Sequence, residues 1–173
     1  NDFAHQAEIM YFREGSLDTE THTDIESQIR PYRIKKFRPT IGCLAKHPLS
    51  ARDRLLHLFW YLTCRDKYTI YYVLDGDRII HRSYVLGDNF RFTYMNKDEA
   101  SIGPIWTDPT YRGQGIASAV LRYICATHED CRLFYMTTNH ENVASRRTIE
   151  RAGFRFCSYG YTTRFLRLFR RMP

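Results

Sequence analysis

Nowhere in the 173 residues is there a run of the roughly 18 consecutive apolar residues that a membrane-spanning helix requires, so no transmembrane segment is expected. The chain also lacks a CxxC pair and a histidine at zinc-like spacing from its cysteines, so no metal is expected. Its five cysteines, Cys43, Cys64, Cys125, Cys131 and Cys157, are an odd number, and we read them as reduced thiols filling apolar space. No basic stretch followed by an apolar run opens the sequence; nothing marks a secretory leader, and a cytoplasmic location is expected. Repeats, low-complexity tracts and composition shifts are lacking too, so residues 1–173 are expected to form a single domain.

Aromatics are plentiful: 13 Tyr and 11 Phe fall in alternating stretches, which favours sheet because these side chains pack on a pleated, half-buried surface. With 43% hydrophobic residues, a chain of this length can bury a real core. A net charge of +7 attracts anions, and charge alone does not choose among nucleic acid, an anionic lipid surface and a phosphate-rich small molecule.

Residues 8–13 read as a first strand, broken at Gly15-Ser16. Residues 19–36 are expected to be helical in part, since Ile25, Ile29 and Ile34 recur at rough helical spacing. Pro39 to Pro48 reads as a loop, and a helix is expected from a Ser50 N-cap to about Arg65, with Leu55, Leu56, Phe59 and Leu62 on one face. Residues 68–74 and 78–86 form a hairpin about Asp75-Gly76; further strands are expected at 90–95 and 100–107. A helix over 115–128 with Ile116, Val120 and Ile124 inward, a strand over 133–138 and a helix over 142–152 closed by Gly153 follow. Residues 154–169 read as two strands meeting near Tyr159-Gly160-Tyr161.

The chemistry lies in a strand ending at Thr107-Asp108-Pro109, then Arg112-Gly113-Gln114-Gly115-Ile116-Ala117, then an apolar-periodic helix. Two glycines leave backbone amides unshielded, and Ala117 lets a pyrophosphate approach the first helical turn, where free amide donors and the helix dipole favour negative charge. This segment resembles the acetyl-CoA loop of the GNAT acyltransferase superfamily (Arg or Gln, two residues, Gly, one residue, Gly or Ala). Asn142, Ser145, Gly153 and Phe154 resemble that family's second cofactor-contacting helix and the strand after it. The resemblance covers about residues 101–159; the first hundred residues share only the order of elements.

The resemblance implies an α+β (α/β/α layered) acyl-CoA N-acyltransferase fold: a mixed, mostly antiparallel sheet with helices on both faces, split between the fourth and fifth strands. It implies acetyl-CoA as co-substrate, with backbone groups of Ile105, Trp106 and Thr107 on the pantetheine arm; the Trp106 side chain is expected in the core. An amide there would polarise the thioester carbonyl, since a fixed donor stabilises the negative charge that develops on its oxygen. Because a primary amine is mostly protonated at neutral pH, a base is required, and Glu99, at the head of the cofactor strand, is the first candidate, with Asp98, His81 and Tyr84 behind it. Ile149 stands where many family members carry a tyrosine acid, which leaves Ser145, Tyr159, a water or no protein acid to protonate the leaving thiolate.

The expected function is direct acetyl transfer to a primary amine of a small molecule, with an amino-sugar nucleotide suiting the arginines and aromatics. A protein or peptide N-acetyltransferase and a catalytically silent CoA-binding module are the alternatives. The basic, apolar segment 164–171 suits a last strand, with weak peripheral contact to an anionic surface as a lesser reading. No nucleic-acid partner is expected, because the aromatics fall at core-facing strand positions, and the chain is expected to be a monomer or homodimer.

Overall fold

The computed structural model describes residues 7–15, 21–40, 42, 51–64, 68–88, 92, 95–163 and 168–172. In chain order the elements are β1 (Ala7–Glu14), α1 (His22–Gln28), β2 (Arg33–Phe37), α2 (Ala51–Cys64), β3 (Thr69–Asp75), β4 (Arg78–Leu86) and β5 (Glu99–Thr107). A 3₁₀ turn (Pro109–Tyr111) leads to α3 (Ile116–Thr127), then β6 (Leu133–Asn139), α4 (Val143–Arg151), β7 (Arg155–Thr162) and β8 (Phe169–Arg171). The strands make one sheet in the order β2-β3-β4-β5-β6-β1-β7-β8. Every neighbouring pair is antiparallel except β5 and β6. This is the mixed, mostly antiparallel α+β architecture expected.

The first strand occupies an interior place. β1 pairs with β6 on one side and β7 on the other, and Ile9, Met10 and Tyr11 in succession are buried because both of its faces are covered. One face of the sheet carries α1, α3 and α4: Ile25, Ile29, Val120, Leu121, Ile124 and Ile149 join Tyr71, Val85, Ile102 and Phe134 in a continuous core. The period-of-3.6 reading of α3 holds, with Ile116, Val120 and Ile124 all buried. On the other face α2 lies over β3 and β4, where Cys64 meets Tyr68, Ile70 and Leu86, and Phe92, Met95 and Phe169 cover Met10 and Tyr135. Glu99 and Ser101 alternate with the core-facing Ala100 and Ile102, so they project to this second face, between those two patches.

Several expectations need correction. Residues 19–36, expected to be helical in part, do hold α1 at His22–Gln28, but Ile34, read at helical spacing, instead pairs with Val73 in β2. In α2 the leucine face turns outward, with Leu55, Phe59 and Leu62 exposed, while His57 and Cys64 are buried and Trp60 and Tyr61 partly so. Apolar residues occur on both faces of this helix, and the one that meets the sheet carries Trp60, Tyr61, Cys64 and His57, whose Nδ1 meets Tyr68 Oη at 2.5 Å. β7 passes unbroken through Tyr159-Gly160-Tyr161, held by β1. Phe92 and Met95 lie in loop; the rest of the expected strand 90–95 falls outside the described residues, as do the Ser50 cap, Cys43 and most of residues 39–48 and 164–168. No helix among the described residues is long and apolar enough to cross a membrane.

Candidate active site

β5 and β6 stay together for only three pairs, Glu99 with Leu133, Ala100 with Phe134 and Ser101 with Tyr135. Beyond these, β5 continues along β4 to Thr107 and β6 along β1 to Asn139. The cause is local. Gly103 and Pro104 together stand opposite the single Tyr84 of β4, a β-bulge that bends the strand. Gly103 has φ 147°, a conformation essentially reserved for glycine, and Pro104 has no N–H to offer a neighbouring strand. The two parallel strands therefore part toward their C-terminal ends, and the split expected between the family's fourth and fifth strands falls between β5 and β6 here, because β1 adds one to the count. Along the wedge, one edge of each strand has no strand partner among the described residues.

At the open end of the wedge sits the glycine loop. Gly113 and Gly115 both have φ 79°, where an L side chain is strained, and a Cβ built on either meets nothing within 4 Å, so the space in front of both is open. Gly115 is the N-cap of α3 and supplies no side-chain cap, and the first turn carries no acidic residue. The first amides of α3 thus lack both intrahelical acceptors and a side-chain substitute. α4, by contrast, is capped by Asn142, whose Oδ1 accepts from the Ser145 amide at 3.0 Å. A pyrophosphate fits the α3 terminus on both counts: donors aimed outward and room for the ligand.

The loop is braced from below. Asp108 caps the 3₁₀ turn by accepting from the Thr110 amide (3.0 Å) and hydroxyl (2.7 Å), and it pairs with Arg78 at 2.7 Å. Those Thr110 bonds, with Arg78 adding, hold its carboxyl below the usual range. Tyr32 donates to Gln114 Oε1 at 3.2 Å and meets the Tyr111 ring edge-on; Tyr111 in turn donates to Asp75 at 2.7 Å. Arg112 Nε donates to the Thr107 carbonyl at 3.1 Å, tying the loop to the end of β5. The Thr107 hydroxyl is 2.8 Å from His81 Nδ1, and His81 Nε2 is 2.7 Å from Ser83 Oγ. Burial pushes the His81 imidazole down to about 4, so it is neutral, with both nitrogens occupied.

Of the residues assigned to the cofactor, Arg112 through Ala117 assemble at the mouth, Ile105 and Trp106 line the diverging strand, and the carbonyl of Thr107 is taken by Arg112. Asn142 and Ser145 stand beyond the C-terminal end of β6. The Trp106 side chain is not in the core: it is 37% exposed, with the Arg82 guanidinium 5.2 Å above its ring, because the bulge turns it to the second face beside Arg82.

The three catalytic candidates do not converge. Glu99 lies at the closed end of the wedge, 1% exposed, where Arg132 donates to its Oε1 at 2.6 Å and the Asn96 amide to its Oε2 at 3.0 Å. The Asn96 side chain and Tyr135 also bond to it. Ser145 is at the opposite end, about 20 Å away along β6 at about 3.3 Å per residue. Tyr159, half exposed on β7, faces His140 and Phe156 and is separated from β5 by β6 and β1, about 14 Å at strand spacing. Asp98 is exposed and paired with Arg132, and the Tyr84 ring stacks on His57. Sequence reasoning missed Arg132, Asn96 and Tyr135; nothing near Glu99 in the chain signals Arg132 or Tyr135, which β6 brings alongside.

A mixed sheet that splits beside an uncapped, glycine-led helix defines a class of α+β proteins that hold a phosphate-bearing cofactor between two strands. This chain belongs to the acetyltransferase (GNAT) family, whose model matches residues 40–154. No curated protein matches it in sequence. Among solved structures it is similar to an acetyltransferase of the GNAT family from Novosphingobium aromaticivorans (TM-score 0.54, 15% identity, covering 91% of this chain and 62% of that one). It is also similar to a GCN5-related N-acetyltransferase from Sphaerobacter thermophilus (TM-score 0.61, 14% identity, 91% and 50%). A third is a predicted acetyltransferase from Clostridium acetobutylicum with acetyl-CoA (TM-score 0.50, 20% identity, 72% and 90%). At these identities the likeness is one of fold, and the chain spans only 62% and 50% of the first two proteins.

Proposed function

We propose that this chain transfers an acetyl group from acetyl-CoA directly to a primary amine of a small molecule. The observation that carries the reading is the uncapped first turn of α3 behind Gly113 and Gly115, at the mouth of the β5/β6 wedge. When bound, acetyl-CoA supplies an activated thioester. The α3 amides and Arg112 hold its phosphates, and the unpaired edge of β5 at Ile105 and Trp106 offers backbone groups to the amide-bearing arm. A β5 amide turned into the wedge stabilises developing negative charge on the carbonyl oxygen; Pro104 is unable to serve, having no N–H.

Glu99 takes the proton from the acceptor ammonium through a relayed water, with Arg132 holding the carboxylate in place. Ile149 is fully buried, so α4 offers no acid at that position; Ser145 and Tyr159 remain the protein groups assigned to the departing thiolate, with water as the substitute. The exposed Trp106–Arg82 pair suits an acceptor that is both stackable and anionic, as an amino-sugar nucleotide is.

A second reading is a silent CoA-binding module, favoured by the engagement of both Glu99 oxygens. The test follows CoA release with a thiol reagent while amino-sugar nucleotides, amino acids, polyamines, aminoglycosides and peptides are offered. Peptides belong in the panel because the ribosomal-protein-S18-alanine N-acetyltransferase from Escherichia coli shares the fold (TM-score 0.50, 15% identity). Acceptor-dependent release, abolished in Gly115→Glu, supports the enzyme. Acetyl-CoA binding without release from any amine supports the silent module, and no binding at all overturns both.

A further inference from the structure

At the far end of α3 from the glycine loop, the turn into β6 brings together three side chains of metal-ligating type. His128 is the C-cap residue of α3, and Asp130 and Cys131 follow in the turn. One donor atom from each lies within 4.8 Å of the other two, and His128 Nδ1 stands 3.7 Å from Asp130 Oδ1. Ligands around a tetrahedral zinc with bonds of about 2.0–2.3 Å sit about 3.5 Å from one another, so this pair is already near metal-ligand spacing. Asp130 is 60% exposed and free to swing the remaining ångström.

The packing of the ring fixes which nitrogen faces Asp130. His128 is 2% exposed, its ring packed against Tyr71 and Phe134, yet its Nε2 is buried with no hydrogen-bond partner among the described residues. Nε2 points away from Asp130, so the nitrogen placed to hold a borderline cation beside Asp130 is Nδ1. Asp130 and Cys131 line a cleft of about 530 Å³ together with Glu14, Asp98, Glu129 and Arg132, which gives a cation a path to them.

We propose that His128, Asp130 and Cys131 form a binding site for a zinc-class divalent cation, with water at the fourth position. Cys131 gives up its thiol proton to solvent on binding, so cation uptake releases acid. The ion ties the end of the cofactor helix to the start of β6, two residues from the Glu99–Leu133 pair. Lys36, on β2, interacts electrostatically with Asp130 and Cys131 and balances their charge when no cation is present; the ion competes with it.

The experiment uses the full, tag-free chain, stripped with a chelator and titrated with Zn²⁺ against a chromophoric competitor, and separately with Co²⁺ in an absorption spectrometer. The expected result is one zinc per chain, about tenfold or more weaker in Asp130→Asn and His128→Gln and tighter in Lys36→Gln. Cobalt should give a thiolate charge-transfer band that Cys131→Ser removes. His128 is in the core, so circular dichroism accompanies that variant; Asp130 lies on the surface and its replacement leaves the fold alone. No zinc uptake, or uptake indifferent to Asp130→Asn and Cys131→Ser, overturns the proposal whatever the outcome of the acetyl-transfer assay.

Discussion

Single residues in this protein are held by environments that a linear reading does not contain. Glu99 was legible as a carboxylate ahead of the cofactor strand, but its burial against Arg132, Asn96 and Tyr135 was not, because two of those partners arrive on β6. Glu99→Gln should lower kcat about a hundredfold or more while leaving acetyl-CoA affinity within a factor of a few. A variant that merely loosens the fold would weaken cofactor binding as well; steady-state kinetics beside a calorimetric acetyl-CoA titration separates the two. His81 gives a stability prediction. Its folded pKa, about 4, is below the ordinary 6.5, so between those values the unfolded chain binds a proton that the folded chain does not. Its contribution is therefore complete above about pH 6.5 and lost as pH falls toward 4, by about 3 kcal/mol at most. Urea unfolding at pH 7 and pH 5 should show a smaller difference in His81→Gln than in the parent.

Elements of secondary structure carry the next set of consequences. The α3 N-terminus and the β5 bulge together make the wedge, and both depend on backbone angles that only glycine adopts cheaply. Gly115→Ala should destabilise the protein by about 1–2 kcal/mol and weaken acetyl-CoA binding, seen by calorimetry, since the amides it presents would shift. Gly103→Ala should cost about 1–3 kcal/mol in thermal or urea unfolding and also reduce cofactor affinity, because straightening the bulge closes the strands. Unchanged affinity in Gly103→Ala would mean that the opening does not depend on that residue. Helix α3 was readable because one glycine-led cap and one period of apolar residues agree; α2 was misread because apolar residues occur all round it, and periodicity does not say which face a sheet will choose.

Over the whole molecule, the most consequential feature is the place of the first strand. β1 sits between β6 and β7, bonded on both sides, and contributes Ile9, Met10 and Tyr11 to the interior. A chain beginning at residue 16 would leave two facing edges in mid-sheet and lose those buried side chains and that of Arg13. Such a truncation should be expressed as aggregate or unfolded chain, by size-exclusion chromatography and circular dichroism. A folded, acetyl-CoA-binding product would show that β6 and β7 can close the gap themselves. The distance between the closed end of the wedge, with Glu99 and the His128 cluster nearby, and the open end, with the glycine loop, is also a property of the whole sheet. It decides that Glu99, Ser145 and Tyr159 do not meet.

The amino-acid sequence by itself determined the glycine loop, the helix it leads, the β3–β4 hairpin and the family, because each rests on contacts among residues close in the chain: glycine angles, caps, turns and periodic faces. Tertiary structure alone decided where β1 inserts, which face of α2 is buried, that Trp106 is exposed under Arg82, that Arg132 meets Glu99, and that the His128 Nε2 is buried without a partner among the described residues. Those outcomes come from strand pairing and packing between segments far apart in the chain, and strand order in a sheet leaves no local signature in the residues that obey it.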